Sequence, residues 1–148
     1  MSLVSVVDDD ISVRNLESGS MSLISVVDDD ISVRKSLHRL IRSAGFEVNV
    51  FASAEEFLNS THPRKADCLI LDVRLPGISG IDLHRQLLAR RYNVPVIFIT
   101  AHGSDEDARS EAASDWTVAY LIKPFGGDEL LDAVDAAVRW KSAHKQDS

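Results

Sequence analysis

Between Leu23 and Ser142 the sequence switches repeatedly between short apolar runs and segments whose apolar residues recur at three-and-four spacing, five of each. Short runs bounded by turn residues predict strands, and the longer spacing predicts amphipathic helices. The runs lie at 23–27, 46–51, 68–72, 94–100 and 118–122, with Pro95 tolerable only at the start of its strand. In the first helical segment Val33, Leu37, Leu40 and Ile41 share a face and Gly45 closes it. Ser53 is the expected N-cap of the second, Glu56 completes a capping box, and Phe57 and Leu58 turn inward. The third runs from Ile81 to about Arg91 with Leu83, Leu87 and Leu88 inward. The fourth, 104–114, has only alanines as apolar anchors and is expected to be weakly held. The fifth runs from Asp128 to about Ser142, with Leu130, Val134, Ala137 and Val138 on one face. Strands alternating with helices require a parallel sheet covered on both sides. With right-handed crossovers, the expected fold is α/β, a doubly wound five-stranded parallel sheet of flavodoxin-like (βα)5 type with strand order 2-1-3-4-5.

A chain of 148 residues suits one such domain. Met1 to Arg14 recurs at Met21 to Arg34 with only Val4 replaced by Ile24, too short and too near-perfect for a stacking repeat. Residues 1–20 are therefore read as a duplicated first strand plus linker of cloning origin, 21–141 as the domain, and 142–148 as a polar tail. A duplicated apolar strand can add to a sheet edge, so the expectation for 1–20 is strand exchange within a homodimer.

The net charge of −7 argues against binding a phosphate backbone, so no direct nucleic-acid contact is expected. No apolar run is long enough to cross a bilayer and no basic, apolar leader opens the chain, so the expectation is no membrane association and a cytoplasmic location. Cys68, without a second cysteine, is expected to be a buried core thiol.

Polar residues close four of the five runs. Asp28, Asp29 and Asp30 follow the first, Asp72 ends the third ahead of Pro76-Gly77, Thr100 ends the fourth, and Lys123-Pro124 follows the fifth. In a doubly wound sheet these ends line one cleft, the edge where such folds place ligands. Asp30 is most economically a helix N-cap. Carboxylates within about 4 to 6 Å of one another raise their own pKa values unless a cation intervenes. Mg²⁺ suits such an oxygen-rich site, and a carboxylate beside a metal and an ammonium can act as a nucleophile toward phosphorus.

Val27-Asp28-Asp29-Asp30, Leu71-Asp72-Val73-Arg74-Leu75-Pro76-Gly77 with Gly80, Ile99-Thr100-Ala101 and Lys123-Pro124-Phe125 together resemble the receiver domain of two-component response regulators, over essentially all of 21–141. Segments 31–37 and 52–58 resemble FixJ-like receivers more loosely. The resemblance implies that Asp72 accepts a phosphoryl group from a phosphohistidine of a sensor histidine kinase or phosphotransfer protein. It implies Mg²⁺ as cofactor, bound by Asp28, Asp29, Asp72 and the backbone carbonyl of Arg74. Lys123 would pair with the phosphoryl group, Thr100 would turn its hydroxyl to it, and Val73 and the small Ala101 would form the surrounding loop. Tyr120 would turn inward as Thr100 moves, the Lys123-Pro124 bond would be cis, and the surface from the fourth helix to the fifth would shift to control an output. Such a domain catalyses its own phosphotransfer and dephosphorylation, yet is a regulator rather than an enzyme.

Two other readings compete. A receiver-like docking module that is not phosphorylated need not keep the acid pair Asp28 and Asp29, Asp72, Thr100 and Lys123. An aspartyl-phosphate hydrolase would carry a second Asp two residues after the nucleophile, where this chain has Arg74. The chain also departs from the receiver pattern before the fifth strand, reading Ala113-Ser114 where a Gly-Ala pair is usual, which puts the end of the fourth helix in question. Trp116 is expected to be partly buried.

Overall fold

The computed structural model describes residues 22–60, 65–101 and 106–144. Its elements run β1 (Leu23–Val27), α1 (Ile31–Ser43), β2 (Glu47–Phe51), α2 (Ala54–Leu58), β3 (Cys68–Asp72), α3 (Gly80–Ala89), β4 (Val96–Thr100), α4 (Glu106–Ala112), β5 (Thr117–Ile122) and α5 (Gly127–Ala143). All strand pairs are parallel and the order is β2-β1-β3-β4-β5, as the alternation predicts. The duplicated segment 1–20 and the strand exchange expected of it lie outside the described residues.

The two faces of the sheet hold separate cores, because successive side chains of a strand point to opposite sides. Val27, Leu69, Leu71, Val96 and Phe98 pack with Phe57 of α2, Leu83 and Leu87 of α3 and the alanines of α4. Ile24, Val26, Ile70, Ile97 and Ile99 pack with Leu37 and Ile41 of α1 and Leu130, Val134 and Ala137 of α5. Cys68 joins the second core fully buried, and burial pushes its thiol far above the usual range, so it is an inert packing group. β3 and β4 are buried along their whole length, which is why both read as continuous apolar runs.

Helix ends follow local chemistry. Asp30 caps α1, its carboxylate accepting from the Ser32 N–H at 2.8 Å. Gly45, with φ of 96°, turns the chain out of α1 in the left-handed region. Ser53 caps α2 by accepting from the Glu56 N–H, but Glu56 in return accepts from the N–H of Ala52 rather than of Ser53, so the reciprocal bond secures the residue before the cap. In α3 the inward face is Ile81, Leu83, His84 and Leu87; Leu88 is half-buried, and His84 takes core space that the apolar spacing assigns to leucine.

The departure at Ala113-Ser114 has a local solution. α4 ends at Ala112, and the Thr117 hydroxyl donates to the Ala112 carbonyl at 2.6 Å while lying 3.0 Å from the Ser114 hydroxyl. Ser114 Oγ also accepts from the Trp116 N–H, so two hydroxyls shape the turn. Trp116 is half-buried against Trp140, which His144 stacks upon with ring centroids 3.7 Å apart. The expected tail from 142 is still helical through Ala143, and Lys141 donates to the Asn93 carbonyl.

Candidate functional site

The strand register builds the site. Val27 pairs with Leu71 and Asp72 with Ile99, so Asp28 leaves β1 beside the end of β3. Thr100 pairs with Ile122, and the Lys123 N–H donates to the Thr100 carbonyl at 2.8 Å. The Asp28 N–H donates to Phe51 and the Val73 N–H to Ile99, so each residue enters its loop from a fixed backbone.

Asp28, Asp72 and Thr100 are buried, Asp29 is exposed, and the carboxylates of Asp28, Asp29 and Asp72 each offer an oxygen within 4.8 Å of the others. Lys123 Nζ bridges the two buried acids, 2.9 Å from Asp28 Oδ2 and 3.2 Å from Asp72 Oδ2. The other Asp72 oxygen accepts from the Arg74 N–H at 2.9 Å, and the other Asp28 oxygen accepts from the Asp30 N–H at 2.8 Å. Asp28 is thus fixed from both sides, while Asp30 serves α1 and stays outside the cluster. Val73 is buried behind the site, whereas Ala101 and Arg74 are exposed at its rim. The Lys123-Pro124 peptide is cis.

Burial raises the Asp72 carboxyl above its ordinary value and the charge of Asp28 raises it further; the Arg74 N–H and Lys123 offset only part of this. Burial alone would lower Lys123, but its hydrogen bond to Asp28 and the charge of Asp72 outweigh that, so the ammonium is held charged above its usual range. Two buried acids therefore share one ammonium, and the second negative charge calls for another cation. Hard carboxylate oxygens from three side chains at the mouth of a polar cleft form a donor set that fits Mg²⁺.

Tyr120 does not join this cluster. It is half-buried with its hydroxyl buried, 6.4 Å between ring centroids from Phe98 and under the guanidinium of Arg109 on α4. Two supporting residues escape a reading of motifs, and Gly77 of the expected Pro76-Gly77 turn gains a second role. Arg34 Nη1 donates to the Asp28 carbonyl at 2.8 Å. Glu55 Oε2 accepts from the Ile78 N–H in the loop after Asp72. Gly77, with φ of 77°, leaves room for that carboxylate, which a side chain there would meet. Arg34 lies one turn beyond the Asp30 cap and carried a weak local signal; Glu55, 23 positions from Ile78, carried none.

A sequence model described as the response regulator receiver domain matches residues 24–135. Nodulation protein W of Bradyrhizobium diazoefficiens is 49% identical over 136 residues, covering 92% of this chain and 51% of that protein. The transcriptional regulatory protein FixJ of the same organism is 38% identical over 136 residues, covering 92% of this chain and 56% of FixJ. The chain thus spans about half the length of the curated relatives it matches. Among solved structures, response regulator StyR superposes with a TM-score of 0.75 at 41% identity, covering 86% of this chain and 64% of StyR. TrrA of Thermotoga maritima, solved in complex with Mg²⁺ and BeF, superposes with a TM-score of 0.66 at 28% identity, covering 79% of this chain and 99% of TrrA. Together with the sheet order and the acidic cluster at its edge, these matches establish that the chain belongs to the response regulator receiver domains, the regulatory modules of two-component systems.

Proposed function

We propose that Asp72 is the phosphoacceptor of a signalling switch, charged by a phosphohistidine of a sensor histidine kinase or phosphotransfer protein. The observation that carries this reading is the Lys123 ammonium bridging Asp28 and Asp72 within one carboxylate cluster. An Asp72 oxygen attacks phosphorus, the P–N bond breaks, and its electron pair leaves with the imidazole nitrogen, which takes up a proton. The product is an acyl phosphate. Hydrolysis then returns the carboxylate and inorganic phosphate.

Lys123, held charged, turns from Asp72 to the phosphoryl oxygens and neutralises them as the P–N bond loosens. Asp28, fixed by the Asp30 N–H, keeps Lys123 in place during that exchange. The Thr100 hydroxyl, ending β4 beside Asp72, donates to a phosphoryl oxygen, and the small Ala101 lets that loop close. Asp28, Asp29, Asp72 and the Arg74 carbonyl would hold Mg²⁺, which would supply further positive charge to the site when bound. The TrrA complex with Mg²⁺ and BeF supports this choice of cation. The phosphorylated state is favoured in proportion to its better binding of the group, and the surface from α4 to α5 carries the shift to an output.

The test is intact mass after incubation with a small acyl-phosphate donor, with and without Mg²⁺. The expected result is a metal-dependent gain of one phosphoryl group that Asp72→Asn abolishes. An unchanged mass in both chains would instead favour a docking module that is never phosphorylated.

A second expectation concerns stability. The folded state disfavours the ionised Asp72 carboxyl, so its stabilising effect is present at low pH and lost as pH rises past the ordinary carboxylate value. At pH 7 in EDTA, Asp72→Asn is therefore expected to melt at a higher temperature than the parent chain. Mg²⁺ should narrow or reverse the gap. Equal melting temperatures in EDTA would mean that Lys123 compensates the buried charge fully.

A further inference from the structure

The described side chains that α4 buries are Ala108 and Ala112, neither larger than a methyl group. On the side toward α3, an open groove of about 470 Å³ separates Ala108 and Glu111 from Ile81, Asp82 and Arg85. A helix of seven residues with two methyl anchors and a groove along one flank has little apolar burial to hold it. One contact stands out against this. Arg109, exposed in the last turn of α4, lays its guanidinium over the Tyr120 ring with Cζ 5.2 Å from the centroid.

We propose that Arg109 is a positioning residue that clamps α4 onto the Tyr120 ring, so that α4 is held while Tyr120 keeps its buried conformation and released when Tyr120 leaves it. The ring is fixed from below by Phe98 and by burial of its own hydroxyl, so it offers the cation a stationary face. Arginine suits the role because its flat cation stacks on an aromatic face while remaining hydrated at its edge. Because the described side chains of α4 bury only two methyl groups, losing this contact changes its position rather than merely its energy. By linkage, any event that favours buried Tyr120 tightens α4, and anything that binds tight α4 favours buried Tyr120. This deepens the proposed switch and rests on that reading for its use, though not for the clamp itself.

Hydrogen exchange of the α4 amides separates the two. In the unphosphorylated chain, Arg109→Met should lower protection across 106–112 by about two- to thirty-fold, the range a cation on an aromatic face supports. β3 amides should be unchanged. Arg109→Lys should recover part of the protection, and Tyr120→Phe should keep it. Tyr120→Leu should lose it as Arg109→Met does, and the double variant should be no worse than Tyr120→Leu alone. Parental protection in Arg109→Met, or additive losses in the double variant, would overturn the clamp. A second arm repeats the exchange after Mg²⁺ and acyl-phosphate treatment, where the response of α4 in the parent chain should shrink in Arg109→Met. Absence of a phosphoryl gain there would count against the proposed function and leave the clamp to be judged by the first arm.

Discussion

Gly80→Ala is expected to unfold or severely distort the domain, and to do so from the functional edge inward. A Cβ at this position would lie 2.1 Å from the Asp72 carbonyl oxygen and 2.9 Å from its carbon. The obstacle is backbone, in the buried central strand β3, so no side chain can swing aside. Gly80 is the first residue of α3 with its N–H donating to the Val73 carbonyl, and the helix start must retreat by more than 1 Å to restore ordinary contact. Overpacking typically costs about 1–3 kcal/mol and more where the clash is with backbone. We expect about 3 kcal/mol or more from urea unfolding, with phosphoryl gain at Asp72 lost because the loop from Val73 to Gly80, whose Arg74 N–H holds the Asp72 carboxylate, moves with the helix start. Gly126→Ala provides the comparison, since nothing lies within 4 Å of a Cβ there and its stability should stay within about 1 kcal/mol of the parent. Equal stability of the two variants would mean that α3 shifts freely, contrary to its packing through Ile81, Leu83 and Leu87.

Gly80 also marks how far sequence reasoning reached. Alternation gave the parallel sheet, right-handed crossovers left few arrangements of it, and the strand order came from taking the flavodoxin-like order as the commonest at this size. The site followed because polar residues at strand ends must converge on one edge, and Asp28, Asp72, Thr100 and Lys123 do. What escaped depended on crossings between elements rather than on spacing within them. The bond from Ile78 to Glu55 exists only because α2 passes over the loop after β3. Arg109 reads as a solvated helix charge until β5 places Tyr120 beneath it. The hydroxyls of Ser114 and Thr117 replace an expected Gly-Ala turn by a bonding pattern that no composition rule anticipates. His84 is the clearest case, since three residues on from Ile81 and three before Leu87 it falls on the core phase of α3, yet a histidine amid charged neighbours reads as surface.

That histidine should make the domain acid-labile. His84 is 3% exposed, edge-on to Phe98 at 5.9 Å, and its Nε2 is buried without a hydrogen-bond partner. Burial pushes its pKa down from 6.5 to about 4, only partly offset by a hydrogen bond to the Val94 backbone. The fold therefore favours the neutral ring. Its contribution is intact above the unfolded value near 6.5 and is lost as pH falls toward 4, because the unfolded chain takes up a proton there that the folded chain refuses. A displacement of that size corresponds to about 3 kcal/mol, a substantial part of the stability of a domain this small. Asp72 acts with the opposite sign, since its raised carboxyl gains a proton in the folded state first, so the measurement belongs in an Asp72→Asn background. There, urea unfolding between pH 7 and pH 4 should show the parent ring losing about 3 kcal/mol more than His84→Leu, which has no proton to accept. Carboxylates elsewhere titrate in both chains and cancel in the difference. Parallel curves would show that the ring takes up its proton in place, with α3 and the entry to β4 opening locally around Val94 rather than the whole fold giving way.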